Sequence, residues 1–518
     1  MNIKQAKQEI KNTVKAYLMK EGDGSYRIPE VRQRPILLMG PPGIGKTQIM
    51  EQIARECQIG LVSYTITHHT RQSAVGLPFI VEEEFAGESY SVTGYTMSEI
   101  IASVHRKMKD TGLSEGILFI DEINCVSETL APTMLQFLQC KTFGNQKVPE
   151  GWIIVAAGNP PEYNKSVRDF DMVTLDRVRR MDIEADFSVW KEYARAQGVS
   201  NILLSYLELR PQNFYRVQAD VDGMQFVTAR GWEDLSELMG TYEKLGIPVT
   251  EEVVCQYVAH KEIAKDVAAY IDLYRKYEDH YDIPEILKGR VKAEVYQRLL
   301  QASFDEKLSL VNLLLSGLNR YFQEVSHIHA VTDGWFDFLK RYRQRLTEAS
   351  SGEKGDALLI YEEMVSELEA AFAREKESGF LTREDERVRK EQMECIRQGK
   401  PEKEEILGAD GDAGKIFDLA RRDFAGKTEE LEHAEKRAGD ALEHAFDFME
   451  NAFADGQELV VFVTELTMGK ASCAYLSENE CARYVKYNKE LLLGTKRAEL
   501  MSEIETGNIR AEEHHREL

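Results

Sequence analysis

Two short runs carry the residue types that phosphate chemistry needs. The first is Gly40-Pro41-Pro42-Gly43-Ile44-Gly45-Lys46-Thr47, which satisfies the pattern GxxxxGK[ST] in full. Glycines let main-chain N–H groups close around phosphate oxygens, and a helix starting there adds a favourable dipole. Lys46 supplies a point charge to the β- and γ-phosphates. The Thr47 hydroxyl is the kind of oxygen ligand that Mg2+ takes, and Gln48 carries the loop into its helix. The second run is ILFIDE at 117–122, an apolar strand ending in two carboxylates. Asp121 would stand near the metal and Glu122 where it polarises an attacking water. Alone, an acidic strand end reads as a solvated turn. Placed 75 residues (121 − 46) after the lysine of a phosphate loop, it reads as that loop's partner.

Such residues need a scaffold. Apolar runs of strand length at 34–39, 60–67, 116–120, 151–157 and 180–185 alternate with helical stretches. That alternation predicts parallel βαβ units and a five-stranded sheet covered on both faces. Runs such as ILFI and WIIVAA suit central strands. A hairpin is predicted within 78–95, turning near Gly87, and a second over 141–149 with Gly144-Asn145 at its tip. From about residue 187 the strand signal nearly stops. Helical periodicity covers 187–197, 202–209, 230–245, 251–258 and 261–277, with one short hairpin around Asp222-Gly223. The resulting division is an amphipathic N-terminal helix (1–29), an α/β nucleotide-binding core (30–186), a helical lid (187–290) and a helical extension (291–350). An acidic, partly extended helical linker or insertion poor in aromatics (351–435) and a C-terminal helical unit (436–518) complete the chain.

GPPGIGKT and ILFIDE, with the later AAGNPPEYN and LDRVRR, together resemble an AAA+ ATPase, and more narrowly the MoxR-type group of that class. The likeness is specific over about 30–245. It implies an α/β fold: an AAA+ P-loop NTPase core with a parallel five-stranded sheet, an α-helical lid and an additional helical C-terminal region. Gly40 to Thr47 would be the Walker A loop and Asp121-Glu122 the Walker B pair. The ligands implied are ATP and Mg2+, with Thr47 and Asp121 at the metal, and the reaction is hydrolysis to ADP and phosphate.

Three more residues carry over by position. Asn159, in AAGNP, matches sensor 1, whose amide holds a water or a γ-phosphate oxygen; alone it would read as an Asn-Pro turn. Arg177, in Leu175-Asp176-Arg177, matches an arginine finger. The group often has DRF, and here Val178, Arg179 and Arg180 follow, so either of those arginines is an alternative finger or a partner for Asp182. Arg230, in Thr228-Ala229-Arg230-Gly231-Trp232, matches the sensor 2 arginine of a lid helix. A finger that serves the neighbouring subunit implies a homo-oligomeric ring, a hexamer in relatives. The resemblance further implies a chaperone-like remodeller that matures or activates a protein partner. That partner would be a separate von Willebrand factor A (VWA) domain protein, because no DxSxS run occurs here. The alternatives are a nucleic-acid-associated AAA+ motor subunit and an ATP-gated scaffold with little hydrolysis.

Charge bears on the partner. Lys+Arg number 65 and Asp+Glu 88, a net of −23. Residues 1–250 hold 27 basic and 32 acidic groups, and 251–518 hold 38 and 56. Nucleic acid is therefore not the expected partner, since affinity for it comes from clustered cations. The seven cysteines form no CxxC pair, no apolar run reaches 18 residues, and the charged N-terminus has no signal-peptide core. A cytoplasmic protein without a membrane span is expected. Lys4, Lys7, Lys11, Lys15 and Lys20 read as a solvated basic face. His68 and His69 are adjacent and point apart, and His327 and His329 have no carboxylate or cysteine pattern beside them in sequence, so no metal site is expected at either pair.

Overall fold

The computed structural model describes residues 1–491 except 69–70, 86, 128, 144–145, 164–166, 168–169, 221–222, 351–356 and 409–411. Its strands are β1 (Ile36–Met39), β2 (Gly60–Thr65), β3 (Pro78–Phe85), β4 (Glu88–Tyr95), β5 (Gly116–Asp121) and β6 (Thr142–Phe143). They continue as β7 (Gln146–Lys147), β8 (Trp152–Gly158), β9 (Arg179–Asp182), β10 (Arg216–Asp220) and β11 (Gly223–Val227). Five of them form one parallel sheet in the order β2-β5-β8-β1-β9.

The sheet exists because its central strands are apolar on both faces. Every residue of β1 and of β8 is buried. Alternate side chains feed two separate clusters, as period-two geometry requires. Leu37, Leu118, Ile120, Ile154 and Ala156 pack on one side. Ile36, Leu38, Ile117, Phe119, Ile153 and Val155 pack on the other, beneath the helices Ile3–Tyr17 and Lys46–Cys57.

The N-terminal helix starts at a capping box in which Asn2 and Gln5 satisfy each other's backbone N–H. Ala6, Ile10, Val14 and Tyr17 bury its apolar face. Of the five lysines read as a solvated basic face, Lys4, Lys15 and Lys20 are exposed, and four of the five are paired. Lys7 and Lys11 both pair with Glu56 on the helix Lys46–Cys57, Lys4 reaches Glu192 at 2.5 Å, and Lys20 reaches Glu115 at 2.6 Å. The basic stripe ties this helix to three other parts of the chain.

The hairpins within 78–95, over 141–149 and around 222–223 form as β3–β4, β6–β7 and β10–β11. The tip Gly144-Asn145, Asp222 and His69 lie outside the described residues. Beyond β9 the elements among the described residues are helices apart from β10–β11. Helices Phe187–Ala196, Asn201–Leu209, Ala229–Leu245 and Lys261–Tyr281 share one apolar cluster with Phe304–Ser350, Phe424–Phe453 and Gln457–Met468. The lid and the tail are thus packed on a common core.

Helix Phe304–Ser350 has 47 residues, about 70 Å of rise. Its far half explains a difference from the sequence expectation. Residues 351–435 are expected as a partly extended helical linker or insertion, and the helices 357–378, 383–398 and 413–420 are packed rather than extended. Tyr361, Ile396 and Ile416 pack on Trp335, Phe338 and Tyr342 of the long helix in a cluster of their own. Three of the four aromatic rings buried in that cluster come from the long helix, so composition of the acidic stretch alone conceals it. Carboxylates also reach the two histidines from outside their stretch or one turn on. His327 lies 3.0 Å from Glu384 and 2.7 Å from Glu391, and His329 lies 3.2 Å from Asp333. Among the described residues no His/Cys/Asp/Glu group suits a metal, and no single helix is long and apolar enough to cross a membrane.

Candidate nucleotide site

The loop from β1 into helix Lys46–Cys57 turns through two glycines in left-handed backbone, Gly43 at φ 72° and Gly45 at φ 89°. Other residue types are strained there. Close packing adds a second demand. A Cβ on Gly43 would lie 2.9 Å from the Thr228 side chain, and one on Gly40 would lie 2.8 Å from the Ile183 carbonyl oxygen.

Lys46 folds back over this loop and is 8% exposed. Its Nζ donates to the Gly40 and Pro41 carbonyls at 2.7 and 2.9 Å and to Asn159 Oδ1 at 2.8 Å. Burial pushes the ammonium down to about 8, with Arg230 adding to the shift and Asp121 and Glu122 opposing it. Thr47 Oγ1 donates to Asp121 Oδ2 at 2.9 Å. Asp121 Oδ1 accepts the Glu122 N–H at 2.9 Å. Glu122 stands at φ 57°, an uncommon setting for a residue with a Cβ. Its Oε2 accepts the Thr67 hydroxyl at 2.8 Å.

Asn159 is held by a residue the sequence reading passed over. Asn124, 3% exposed, donates from Nδ2 to the Asn159 carbonyl at 2.8 Å and accepts the Asn159 N–H on Oδ1 at 3.3 Å. A Cβ at Gly158 would come within 2.6 Å of that Oδ1. The available signal was a lone amide between Ile123 and Val126, both buried. Lys46, Thr47, Asp121, Glu122 and Asn159 therefore meet at the C-terminal ends of β1, β5 and β8, where open α/β sheets bind ligands.

The lid rests directly on the loop. The Arg230 N–H donates to the Gly43 carbonyl at 3.2 Å, while its guanidinium is exposed. Tyr215 OH donates to the Pro42 carbonyl at 2.9 Å. Gln48 Nε2 donates to Glu233 at 3.3 Å, and the other oxygen of Glu233 accepts Trp190 Nε1 at 2.9 Å. Tyr215 and Glu233 carry no motif and were not foreseen.

Arg177 does not join this group. Arg179 pairs with Ile36 at the start of β1, so Arg177 lies beyond the end of the sheet opposite the loop. It is exposed and bonds to the Gln139 side chain. Arg179 is tied to Glu9 and Thr13 of the N-terminal helix, both at 2.6 Å, and Arg180 pairs with Asp182 at 2.8 Å. Both alternatives to Arg177 thus have acidic partners within the chain.

Residues 36–187 match the family of ATPases associated with various cellular activities, AAA. This segment of the chain is an AAA domain. No curated protein matches the chain. A solved structure named a "putative ATPase" from Cytophaga hutchinsonii is similar at 16% identity over 35% of this chain, with a TM-score of 0.20. The match spans 46% of that protein, less than half its length, and is too slight to carry structural equivalence. The AAA domain contains the loop, the carboxylate pair, Asn124 and Asn159. Arg230 and Glu233 come from helix Ala229–Leu245 and Tyr215 from the bend before β10, so the site straddles the domain's C-terminal boundary.

Proposed function

We propose that the AAA domain binds ATP with Mg2+ and hydrolyses it, and that rings of this chain use the cycle to remodel a separate protein. The observation that carries this reading is the meeting of Lys46, the Thr47–Asp121 pair, Glu122 and Asn159 at one end of the sheet. The donor set suits the ligand. Lys46 gives its protons to neutral acceptors, which phosphate oxygens outcompete. The Thr47 hydroxyl and Asp121 carboxylate are hard oxygen donors that would hold Mg2+, and the ion would supply charge neutralisation for the phosphates. Gly40, Pro41, Pro42, Gly43, Ile44 and Gly45 form the loop around the phosphates, Pro41 and Pro42 shaping its turn and Gly43, Ile44 and Gly45 turning main-chain N–H groups to the ligand. Glu122 orients the attacking water and accepts its proton, held until then by Thr67. Asn159 offers its amide to that water or to the γ-phosphate.

Arg230 closes from the lid onto the γ-phosphate. Arg177 serves the nucleotide of the neighbouring copy, which requires a head-to-tail interface and, on closure, a ring, with six members the expectation. Free thiols at all seven cysteines fit a cytoplasmic setting. The partner is a protein, a VWA-domain protein by the MoxR-type resemblance, rather than nucleic acid. Glu122→Gln is expected to keep ATP binding while phosphate release falls at least about 100-fold. Undiminished release would overturn the catalytic assignment. Capture from native lysate with Glu122→Gln held in ATP is expected to recover a VWA-domain protein. Nucleases or helicases in its place would overturn the partner.

A further inference from the structure

The end of the sheet opposite the glycine loop holds a cavity of about 610 Å³. Segment 30–35, the end of helix Ala131–Cys140 and the turn before β9 enclose it. Five cations line it, Arg32, Arg34, Lys141, Lys147 and Arg177, against the carboxylates of Glu30 and Asp176. Glu30 is already engaged: Lys147 Nζ is 2.5 Å from its carboxylate, and Lys141 Nζ donates to its carbonyl at 2.8 Å. Among the described residues, no carboxylate lies within ion-pair distance of Arg32, Arg34 or Arg177. Lys141 is only 7% exposed. Burial holds its ammonium down to about 8, opposed by Glu30 and aided by Lys147. A positive cavity on a chain of net −23 runs against the bulk charge. Like charges gathered this way repel one another until an anion answers them. Guanidinium groups match phosphate in shape and charge.

One of these arginines is also prepared in position. The Arg34 N–H donates to Tyr17 OH at 3.2 Å, and that hydroxyl reaches the Arg34 carbonyl at 3.3 Å. The N-terminal helix therefore fixes the backbone of Arg34 one residue before Pro35 and β1, while its guanidinium stays exposed.

We propose that this pocket receives the triphosphate tail of a nucleotide held in the glycine loop of a second copy, and that Arg34 is a second cation acting across the interface beside Arg177. The inference rests on the reading of the loop as an ATP site and of Arg177 as a group that serves the neighbour. It adds a residue from the entry to β1 that no motif marks, and it gives Lys141 the role of anchoring the wall through Glu30. A head-to-tail interface is the one that sets the loop end of one copy against the pocket end of the next.

Subunit mixing tests it. Arg34→Ala is expected to leave the melting temperature unchanged and the affinity for a fluorescent ATP analogue within about twofold. Its turnover should fall at least about tenfold, because its own loop is intact and only its service to a neighbour is lost. Added Lys46→Ala subunits, which bring an intact pocket and a disabled loop, should raise the turnover per Arg34→Ala subunit several-fold. Wild-type turnover of Arg34→Ala overturns the proposal. So does a loss that mixing does not relieve while an Arg177→Ala with Lys46→Ala mixture recovers. If neither mixture recovers, the trans-acting reading of Arg177 falls and takes this inference with it. Analogue binding that survives Lys46→Ala and disappears on adding Arg34→Ala would mean the pocket takes free nucleotide, which also overturns the proposal.

Discussion

The two ends of the five-stranded sheet hold similar charges in opposite states. At the loop end Lys46 is buried and satisfied by Gly40, Pro41 and Asn159, Asp121 by Thr47, and Glu122 by Thr67. At the other end Arg32, Arg34 and Arg177 line a cavity, and among the described residues no carboxylate lies within ion-pair distance of them. A satisfied set is preorganised and needs only a ligand to exchange partners. An unsatisfied cationic set is incomplete until an anion arrives from elsewhere. On the proposed reading, the difference makes one end a site in its own right and the other half of one.

The largest expected effect tests the self-sufficient end. Lys46→Ala should weaken ATP binding at least about 100-fold, read by titration of a fluorescent analogue. The fold should tolerate it, because the change removes a buried charge whose partners are mostly main-chain carbonyls. Unchanged affinity would erase the distinction between the two ends, since the loop would no longer be the ligand's place.

How legible this was depends on whether a feature is local. The five strands were readable because burial on both faces writes an unbroken apolar run, as in ILLM and WIIVAAG. The loop and the Asp121-Glu122 pair were readable because their residue types have fixed spacing. Asn124 was not, because its task depends on β5 lying beside β8 and so bringing position 124 to position 159. Tyr215 and Glu233 were hidden for the same reason: each reaches the loop across more than 170 residues of chain. The basic stripe of the N-terminal helix was visible, but Glu56, Glu115 and Glu192 were not visible as its partners. The cationic cavity has three sources in sequence, none of them a motif.

A smaller effect is expected from the clamp on Asn159. Asn124→Ala removes both bonds to the Asn159 backbone and frees the amide that meets Lys46. Asn124 would then be a positioning residue, not one that touches the nucleotide. Turnover should fall about tenfold to 100-fold with the KM for ATP nearly unchanged, since misplacement costs the transition state more than binding. Equal losses in kcat and affinity would instead make Asn124 a general support of the loop.

The smallest effect concerns protons, and it separates the two ends in one experiment. Lys46 and Lys141 sit at opposite ends, and burial holds both ammonium groups down to about 8. For a lysine lowered from 10.5, the cost of burying the charge is fully present below pH 8 and disappears as pH rises toward 10.5. At pH 9 both groups are therefore mostly neutral in the free protein. A phosphate placed beside either one restores the charge and draws in a proton. ATP binding at pH 9 should take up a sizeable fraction of one proton at Lys46, and assembly of loaded copies a second fraction at Lys141; at pH 6.5 neither should occur. Calorimetry in buffers of different ionisation enthalpy measures both steps. Lys141→Met should abolish the assembly step and leave the binding step intact. If Lys141→Met leaves the assembly step in place, that proton comes from another group, and the neighbour's phosphates do not act on Lys141.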